Sequence, residues 1–397
     1  MKTCCFTTHI LRILLRRKLL RPRLEFLCDK DAHDVERYII AVTQKENPVP
    51  GATIRRNLPS LLENGYLSAE EPGPRGRCSL LNTVGVNFEL TYECNYACAH
   101  CLQQEIRHLP RTPLDTGQAK AAIRQVWLSG LCTTGINFTG GEALGHRDDL
   151  FELMSFTNGM GIPFRLNTNS WWAGERNIQA GDRVFSDDEE LVRFLKILGL
   201  KQFAFSFDDR MADKAKTNRL MRCIALCEKI GVDYQMIFTG FEDTHVGRIV
   251  AELKKALRVN WLARLTVVRN ELVDTGGAKL DEAGRQRWQT NLADCGGTGY
   301  YHPAYLHISP EGRVRTCMYA VGTANVGDLR LIPLPELVNN YPRNETGQVF
   351  ASRLRQQQLV QNLSERQARE FRLLKHQCAK NAFMAKILEK RQTTSYG

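Results

Sequence analysis

"VNFELTYECNYACAHC", residues 86 to 101, runs from a β-rich segment straight into three cysteines, Cys94, Cys98 and Cys101, separated by unequal gaps. The first six residues read as a strand, which puts the triplet on the loop that follows its C-terminal end. A zinc site normally takes four protein ligands in paired spacings, and a catalytic one usually includes His or a carboxylate. Three thiolates from one loop suit a different centre. An iron-sulfur cube held by three Cys keeps one iron without a protein ligand, a position left for a cofactor. The competing reading is a structural zinc knuckle, completed by His100 or by a distant Cys.

From about residue 86 onward, short β-rich runs alternate with longer helical ones, the pattern of stacked βα units on a parallel sheet. The strand candidates are "VNFELT", "GINFTG", "FRLNTN", "KQFAFSF", "DYQMIFT" and "RLTVVR", with helical stretches such as "TGQAKAAIRQVWLSG", "DDEELVRFLKILG" and "THVGRIVAELKKAL" between them. Six such units end near residue 268. That is too few for a closed eight-stranded barrel and enough for a curved, partly open one, whose reactive groups lie on loops at the C-terminal ends of the strands.

With strand, triplet and βα series together, the sequence resembles the radical S-adenosylmethionine (radical SAM) superfamily, whose signature is CxxxCxxC after the first strand of a partial (βα)6 barrel; "ELTYECNYACAHC" is very similar to it. The resemblance covers residues 86 to about 268. It implies a [4Fe-4S] cluster with an open iron site on Cys94, Cys98 and Cys101, binding of S-adenosylmethionine, and reductive cleavage of that cofactor to a 5'-deoxyadenosyl radical that removes a hydrogen atom from substrate. The family carries a GGE at the end of the second strand, and "FTGGEAL" matches it; Gly140, Gly141 and Glu142 are then expected to meet the amino group of the cofactor. Glycines permit close backbone approach, and a carboxylate accepts from an ammonium. By the same resemblance Ser206 and Asp208 in "FSFDD" would contact the ribose, although a strand-end Ser and Asp also serve as helix caps. Asn167 and Asn169 in "LNTNS" are weaker cofactor contacts. Gly276 and Gly277 in "VDTGGAKL" fall where relatives place a backbone contact to adenine, or form a plain turn. An external electron donor such as flavodoxin or ferredoxin is implied as well.

A second set of cysteines, Cys295, Cys317 and Cys378, lies further on. "YLHISPEGRVRTC" reads as a hairpin turning at Glu311 and Gly312, and Gly312 stands in a Gx4C relation to Cys317. This is similar to the SPASM/Twitch extension of radical SAM enzymes, which binds auxiliary iron-sulfur clusters. The full SPASM form has more cysteines than the single Cys378 that follows here, so one auxiliary cluster is expected rather than two. Its fourth ligand is open: a substrate, water, His376 or another Cys. Buried cysteines that pack as small apolar residues are the alternative. Cys223 and Cys227, four apart in "RCIALCEKI", read as core positions.

The expected organisation is therefore α/β: residues 1–80 a small N-terminal module, 81–280 a partial (βα)6 radical SAM barrel, and 281–397 a SPASM/Twitch-like extension ending in the helical segment "ERQAREFRLLKHQCAKNAFMAKILEKR". The N-terminal module has the layout of a winged helix, in "DAHDVERYIIAVTQ" and "TIRRNLPSLLENGYLSAEE", with "EPGPRG" as linker. It would hold a leader peptide, bind DNA, or simply pack as an extension.

At 397 residues with 43% hydrophobic side chains, the chain has enough apolar material for a full core. Thirteen unevenly spread cysteines in a chain of this size indicate a reducing compartment and metal ligation, not disulfides. The N-terminal "HILRILLRRKLLRPRLEF" breaks every apolar run with charge, so it has neither a signal peptide's apolar core nor the roughly 20 apolar residues of a span. A cytoplasmic protein with no transmembrane segment is expected. The net charge of +11 suits acidic peptides, nucleotides or nucleic acid. A DNA-binding regulator is hard to reconcile with intact triplet, GGE and barrel, so a nucleic-acid partner is not expected. Enzymes with such extensions most often modify peptides. The leading expectation is a peptide maturase acting on a ribosomally made precursor peptide by crosslinking, epimerisation or oxidation; the alternative is a radical SAM enzyme acting on a nucleotide, sugar or cofactor precursor.

Overall fold

A computed structural model describes residues 85–128, 135–208, 214–239, 265–270 and 305–394, apart from isolated positions within them, together with residues 251 and 255. The winged-helix-like module expected at 1–80, Gly276, Gly277 and Cys295 lie outside the described residues, as does the expected boundary at 280.

The strands are β1 (Gly85–Glu89), β2 (Ile136–Thr139), β3 (Phe164–Thr168), β4 (Arg176–Ala180), β5 (Arg183–Asp187), β6 (Gln202–Asp208), β7 (Asp233–Thr239), β8 (Thr266–Asn270), β9 (Tyr305–Ile308), β10 (Arg313–Arg315) and β11 (Gly327–Asp328). All six runs expected from the sequence are strands: β1, β2, β3, β6, β7 and β8 pair in that order, every pair parallel. The result is a mixed α/β fold on a largely parallel sheet.

Strand residues alternate between the two faces of a sheet, and here the alternation separates apolar from polar. Val86, Phe88, Ile136, Phe138, Leu166, Phe203, Phe205 and Phe238 belong to one buried core. They share it with Ile123 and Val126 of the helix Thr116–Leu128, Leu153 and Met154 of Leu150–Gly159, and Leu191 and Leu195 of Asp188–Ile197. Each such side chain taken fully out of water contributes about 1.5–3 kcal/mol. The intervening residues Asn87, Glu89, Asn137, Asn167, Ser206, Asp208 and Gln235 point the other way. That polar face is the one on which chemistry can be built.

Three features differ from the sequence reading. Residues 176–187 form a separate hairpin, β4 antiparallel to β5, turning at Gly181 with φ +53°. Its exposed positions are largely charged or polar, and its buried apolar side chains are Ile178, Ala180 and Phe185 alone, too few to mark strands in advance. The C-terminal hairpin turns at Gly312 as expected, with φ +85°. Yet it is no separate appendage: β9 pairs parallel with β1, and β10 and β11 continue the same nine-stranded sheet. The last helical stretch is two helices, Glu365–Leu373 and Gln377–Thr394. The first of these opens on a capping box between Ser364 and Gln367. Among the described residues no helix is long and apolar enough to cross a membrane.

Candidate active site

The triplet leaves the C-terminal end of β1 on a loop whose backbone is fixed by the neighbouring strand ends. The N–H of Gly141 donates to the carbonyl of Thr91 at 2.7 Å, and that of Glu142 to the carbonyl of Glu93 at 2.8 Å. Gly140 has φ +131°, and a Cβ there would stand 2.3 Å from the Thr91 oxygen; at Gly141 it would stand 1.8 Å from the Glu93 oxygen. Both glycines are therefore demanded by the close passage of the cysteine loop itself.

Glu142 is fully buried. Its Oε2 accepts from the Asn169 N–H at 2.7 Å and from the Thr168 hydroxyl at 3.1 Å, so it latches the end of β2 to the end of β3. Burial pushes its carboxyl up to about 7, against the pull of these donors. Its Oε1 has no partner among the described residues. Asn169 also turns its Nδ2 to Asn95 Oδ1 at 2.9 Å and to Cys94 Sγ at 3.6 Å.

Cys94, Cys98 and Cys101 are all half-buried, and Cys101 closes a turn on Cys98 through an N–H to carbonyl bond of 3.1 Å. Arg107 folds back over the loop, donating from Nη1 to the Tyr96 carbonyl at 3.0 Å and from Nη2 to Cys101 Sγ at 3.4 Å. The Tyr96 N–H donates to Cys94 Sγ at 3.4 Å. Burial, the first cause, pushes the Cys98 thiol up to about 11; Lys216 pulls it down, while Asp208 and the other two thiols push it further up. Burial raises the Cys94 thiol as well.

Asp208, at the end of β6, is nearly buried and pairs with Lys216 at 3.3 Å; His100 Nε2 stands 3.9 Å from the same carboxylate oxygen. Lys216 also lies over the rings of Tyr96 and Phe207. Arg219 donates to the Tyr96 hydroxyl at 2.9 Å. Ser206 is exposed on the same edge of β6, and Asn167 lies on the polar face of β3 with its Oδ1 unpartnered among the described residues.

The structure thus gathers the triplet, Gly140, Gly141, Glu142, Asn169 and Asp208 at one end of the sheet. Sequence reading missed Arg107, Lys216, Arg219 and Tyr96. Arg107, six residues past Cys101, had a signal in the turn-rich "CLQQEIRHL"; Lys216 and Arg219 had none, since only the start of their helix brings them to the loop. Among the described residues no group of three or more His, Cys, Asp and Glu is arranged to hold a metal ion directly. The donor set nonetheless fits an iron-sulfur cluster. Burial first, and the neighbouring thiols after it, raise the cost of ionising Cys94 and Cys98, and a cationic iron centre would supply the compensation that brings a thiol to thiolate.

Cys317 lies in a second buried cluster with Phe350, with Leu359 of the helix Arg353–Gln361, and with Ala382, Met384, Ala385 and Leu388 of the helix Gln377–Thr394. Cys378 begins that same C-terminal helix, half-buried, its N–H donating to His376 Nδ1 at 3.0 Å.

No family model matches the chain. Over 84 residues it is 36% identical to an S-adenosylmethionine-dependent nucleotide dehydratase of Selenomonas ruminantium, a match covering 21% of this chain and 29% of the relative. Over 86 residues it is 34% identical to the mycofactocin maturase MftC of Mycolicibacterium smegmatis, covering 22% of this chain and 21% of that one. The chain spans less than a third of the length of either of these curated relatives. Both matches support the resemblance to the radical SAM superfamily, and the first relative's name specifies S-adenosylmethionine. Among solved structures, BtrN in complex with AdoMet and 2-DOIA aligns at 12% identity and a TM-score of 0.39, covering 70% of this chain and 89% of that one. Streptococcus suis SuiB bound to S-adenosylmethionine aligns at 9% identity and a TM-score of 0.38, covering 95% and 86%. Similarity at that level carries no argument about this chain.

Proposed function

We propose that this chain is a radical SAM enzyme acting on a ribosomally made precursor peptide. The observation that carries the reading is the seating of Cys94, Cys98 and Cys101 on one loop at the C-terminal ends of parallel strands, tied down by the Gly-Gly-Glu turn. When bound, a [4Fe-4S] cluster supplies one-electron reduction of S-adenosylmethionine, and the cofactor carries the difficult chemistry.

The chain's own residues do the positioning. Arg107 and Asn169 direct N–H groups at the sulfurs of Cys101 and Cys94. Lys216 and Asp208 set the charge beside Cys98. Gly140, Gly141 and Glu142 offer the cofactor's amino group their surroundings, and Ser206, Asp208 and Asn167 line the edge where its ribose would lie. Cys295, Cys317 and Cys378 hold an auxiliary cluster in this reading, Cys317 on the loop after β10 and Cys378 in the first turn of the helix Gln377–Thr394. The peptide assignment draws on the match to a maturase and on the +11 charge. It also draws on the leader-binding layout read in residues 1–80. A reducing cytoplasm and a flavodoxin or ferredoxin donor complete the reading.

The match to a nucleotide dehydratase favours a second reading, a small-molecule substrate. The two separate on the reconstituted full chain: 5'-deoxyadenosine formation and substrate mass change are followed with short peptides encoded beside the gene and, separately, with nucleoside triphosphates. Stimulation and a mass change on a peptide support maturation. The same response to a nucleotide alone replaces it with the second reading.

A further inference from the structure

The backbone bonds from the Gly-Gly-Glu turn reach the cysteine loop only as far as Glu93, one residue short of the first thiol. Past that point Asn95 meets Asn169, and the heaviest engagement falls on Tyr96. It is the one large side chain between Cys94 and Cys98, half-buried, with Asn95 and Ala97 exposed on either side. Its N–H donates to Cys94 Sγ at 3.4 Å and its carbonyl accepts from Arg107 Nη1 at 3.0 Å. The ring lies 5.7 Å from Lys216 Nζ, and the hydroxyl accepts from Arg219 Nη1 at 2.9 Å. A tyrosine serving only as packing would leave its hydroxyl to water. This one meets a side chain 123 residues away in the sequence.

Arg219 is itself held. Lys216, Arg219 and Arg222 stand three apart on one side of the helix Lys214–Ile230. Arg222 pairs with Asp188, a fully buried carboxylate that also accepts the Gly174 N–H at 2.7 Å. Glu175, the next residue, takes the other arm of Arg219, Nη2, at 3.3 Å. The guanidinium is a planar fork, so one orientation serves both Tyr96 and Glu175. The cysteine loop is thus fastened from two directions, by the turn after β2 up to Glu93 and by this helix beyond Cys94.

We propose that Tyr96 is the second anchor of the cysteine loop, a positioning residue held at its hydroxyl by Arg219, which keeps the span from Cys94 to Cys98 in place before a cluster is bound. The inference rests on the radical SAM reading above and adds the device that prepares its cluster site. Groups fixed in advance lose less conformational freedom when a centre assembles on them, so the anchor sets how firmly the cluster is kept.

The first measurement is amide hydrogen exchange in the metal-free full chain, comparing the segment 93–101 with β2. Tyr96→Phe keeps the ring and the backbone bonds and removes the hydroxyl; Arg219→Met removes the donor. Glu175 is half exposed, so the second change strands no buried charge. Each variant is expected to speed exchange in 93–101 by about threefold or more, with β2 unchanged. The double variant should be no faster than the faster single one, because both remove the same bond. Arg219→Lys keeps a cationic donor and should return exchange toward the wild-type rate. The second measurement is iron release to a chelator from the reconstituted full chain, in a Cys317→Ala, Cys378→Ala background so that the iron counted belongs to the triplet. Release is expected to be about threefold faster or more in Tyr96→Phe and Arg219→Met. Unchanged exchange in Tyr96→Phe, effects that add in the double variant, or iron held as firmly as by the unaltered Tyr96 and Arg219 overturns the proposal. If all chains, wild type included, take up no iron while the exchange results stand, the radical SAM reading fails and the anchor does not.

Discussion

The N–H of Glu142 donates to the carbonyl of Glu93 at 2.8 Å, joining the turn after the second strand to the loop that carries the cysteine triplet. Alongside it, Gly141 passes so close to Glu93 that a methyl group has no room. Gly141→Ala is therefore expected to cost about 3 kcal/mol of stability through backbone displacement. It should also lower iron retention after anaerobic reconstitution. Urea unfolding and iron content check the two effects; an unchanged midpoint with full iron would mean that the turn does not hold the loop.

Glu142 makes stability depend on pH with a definite sign. Its carboxyl is raised from 4.5 to about 7 in the folded chain. Below the unfolded value both states carry the proton. As pH rises from about 4.5 to 7, the unfolded chain releases it first, so stability falls, by about 3 kcal/mol in all, and levels off above the folded value. Glu142→Gln keeps an acceptor for Thr168 and Asn169 and removes the titration. Urea midpoints at pH 5 and pH 8 should differ for the wild type and converge for the variant.

How much of this site was legible beforehand follows from where the information sits. The six parallel strands announce themselves because Phe, Val and Ile recur on alternate residues of short runs, and the triplet and Gly-Gly-Glu are local motifs. Glu142 as a latch was not visible, since the same residue types that suit an ammonium also suit the N–H of Asn169. The pairing of β9 with β1 left no trace either: it joins Val86 to Leu306 across most of the chain, and no local pattern encodes a parallel neighbour. The hairpin at 176–187 hid its few buried side chains among charges. Arg315, read only as part of "GRVRTC", gained meaning when that pairing placed it against Glu89.

Arg107 directs a cationic donor at Cys101 Sγ, which stabilises the more negative, reduced form of a bound cluster. Arg107→Met is expected to shift the cluster's midpoint potential to more negative values, while the unfolding midpoint changes by less than about 1 kcal/mol equivalent. An electron paramagnetic resonance redox titration measures this; an unshifted or more positive potential contradicts the assigned role.

In the cluster-free chain the Cys98 thiol, at about 11, should be alkylated slowly at pH 8, with a thiolate fraction about a hundredfold below that of an ordinary exposed cysteine. Lys216→Met removes the cation that lowers it and should slow alkylation further. Mass spectrometry of iodoacetamide-treated protein reads the rate; faster labelling in the variant would show that Lys216 does not act on Cys98.

The auxiliary cluster is tested by counting. Iron per reconstituted chain is expected to fall from roughly eight to roughly four when Cys317 and Cys378 are both replaced by Ala. Roughly four in both proteins would make the second set ordinary packing residues.

The central claim meets its most direct test in 5'-deoxyadenosine formation by the reduced, reconstituted full chain, compared with the triple variant Cys94→Ala, Cys98→Ala, Cys101→Ala. The account predicts cofactor cleavage by the wild type and none by the variant, with the sheet still folded, because its core does not include the three thiols. Undiminished 5'-deoxyadenosine from the variant would contradict it.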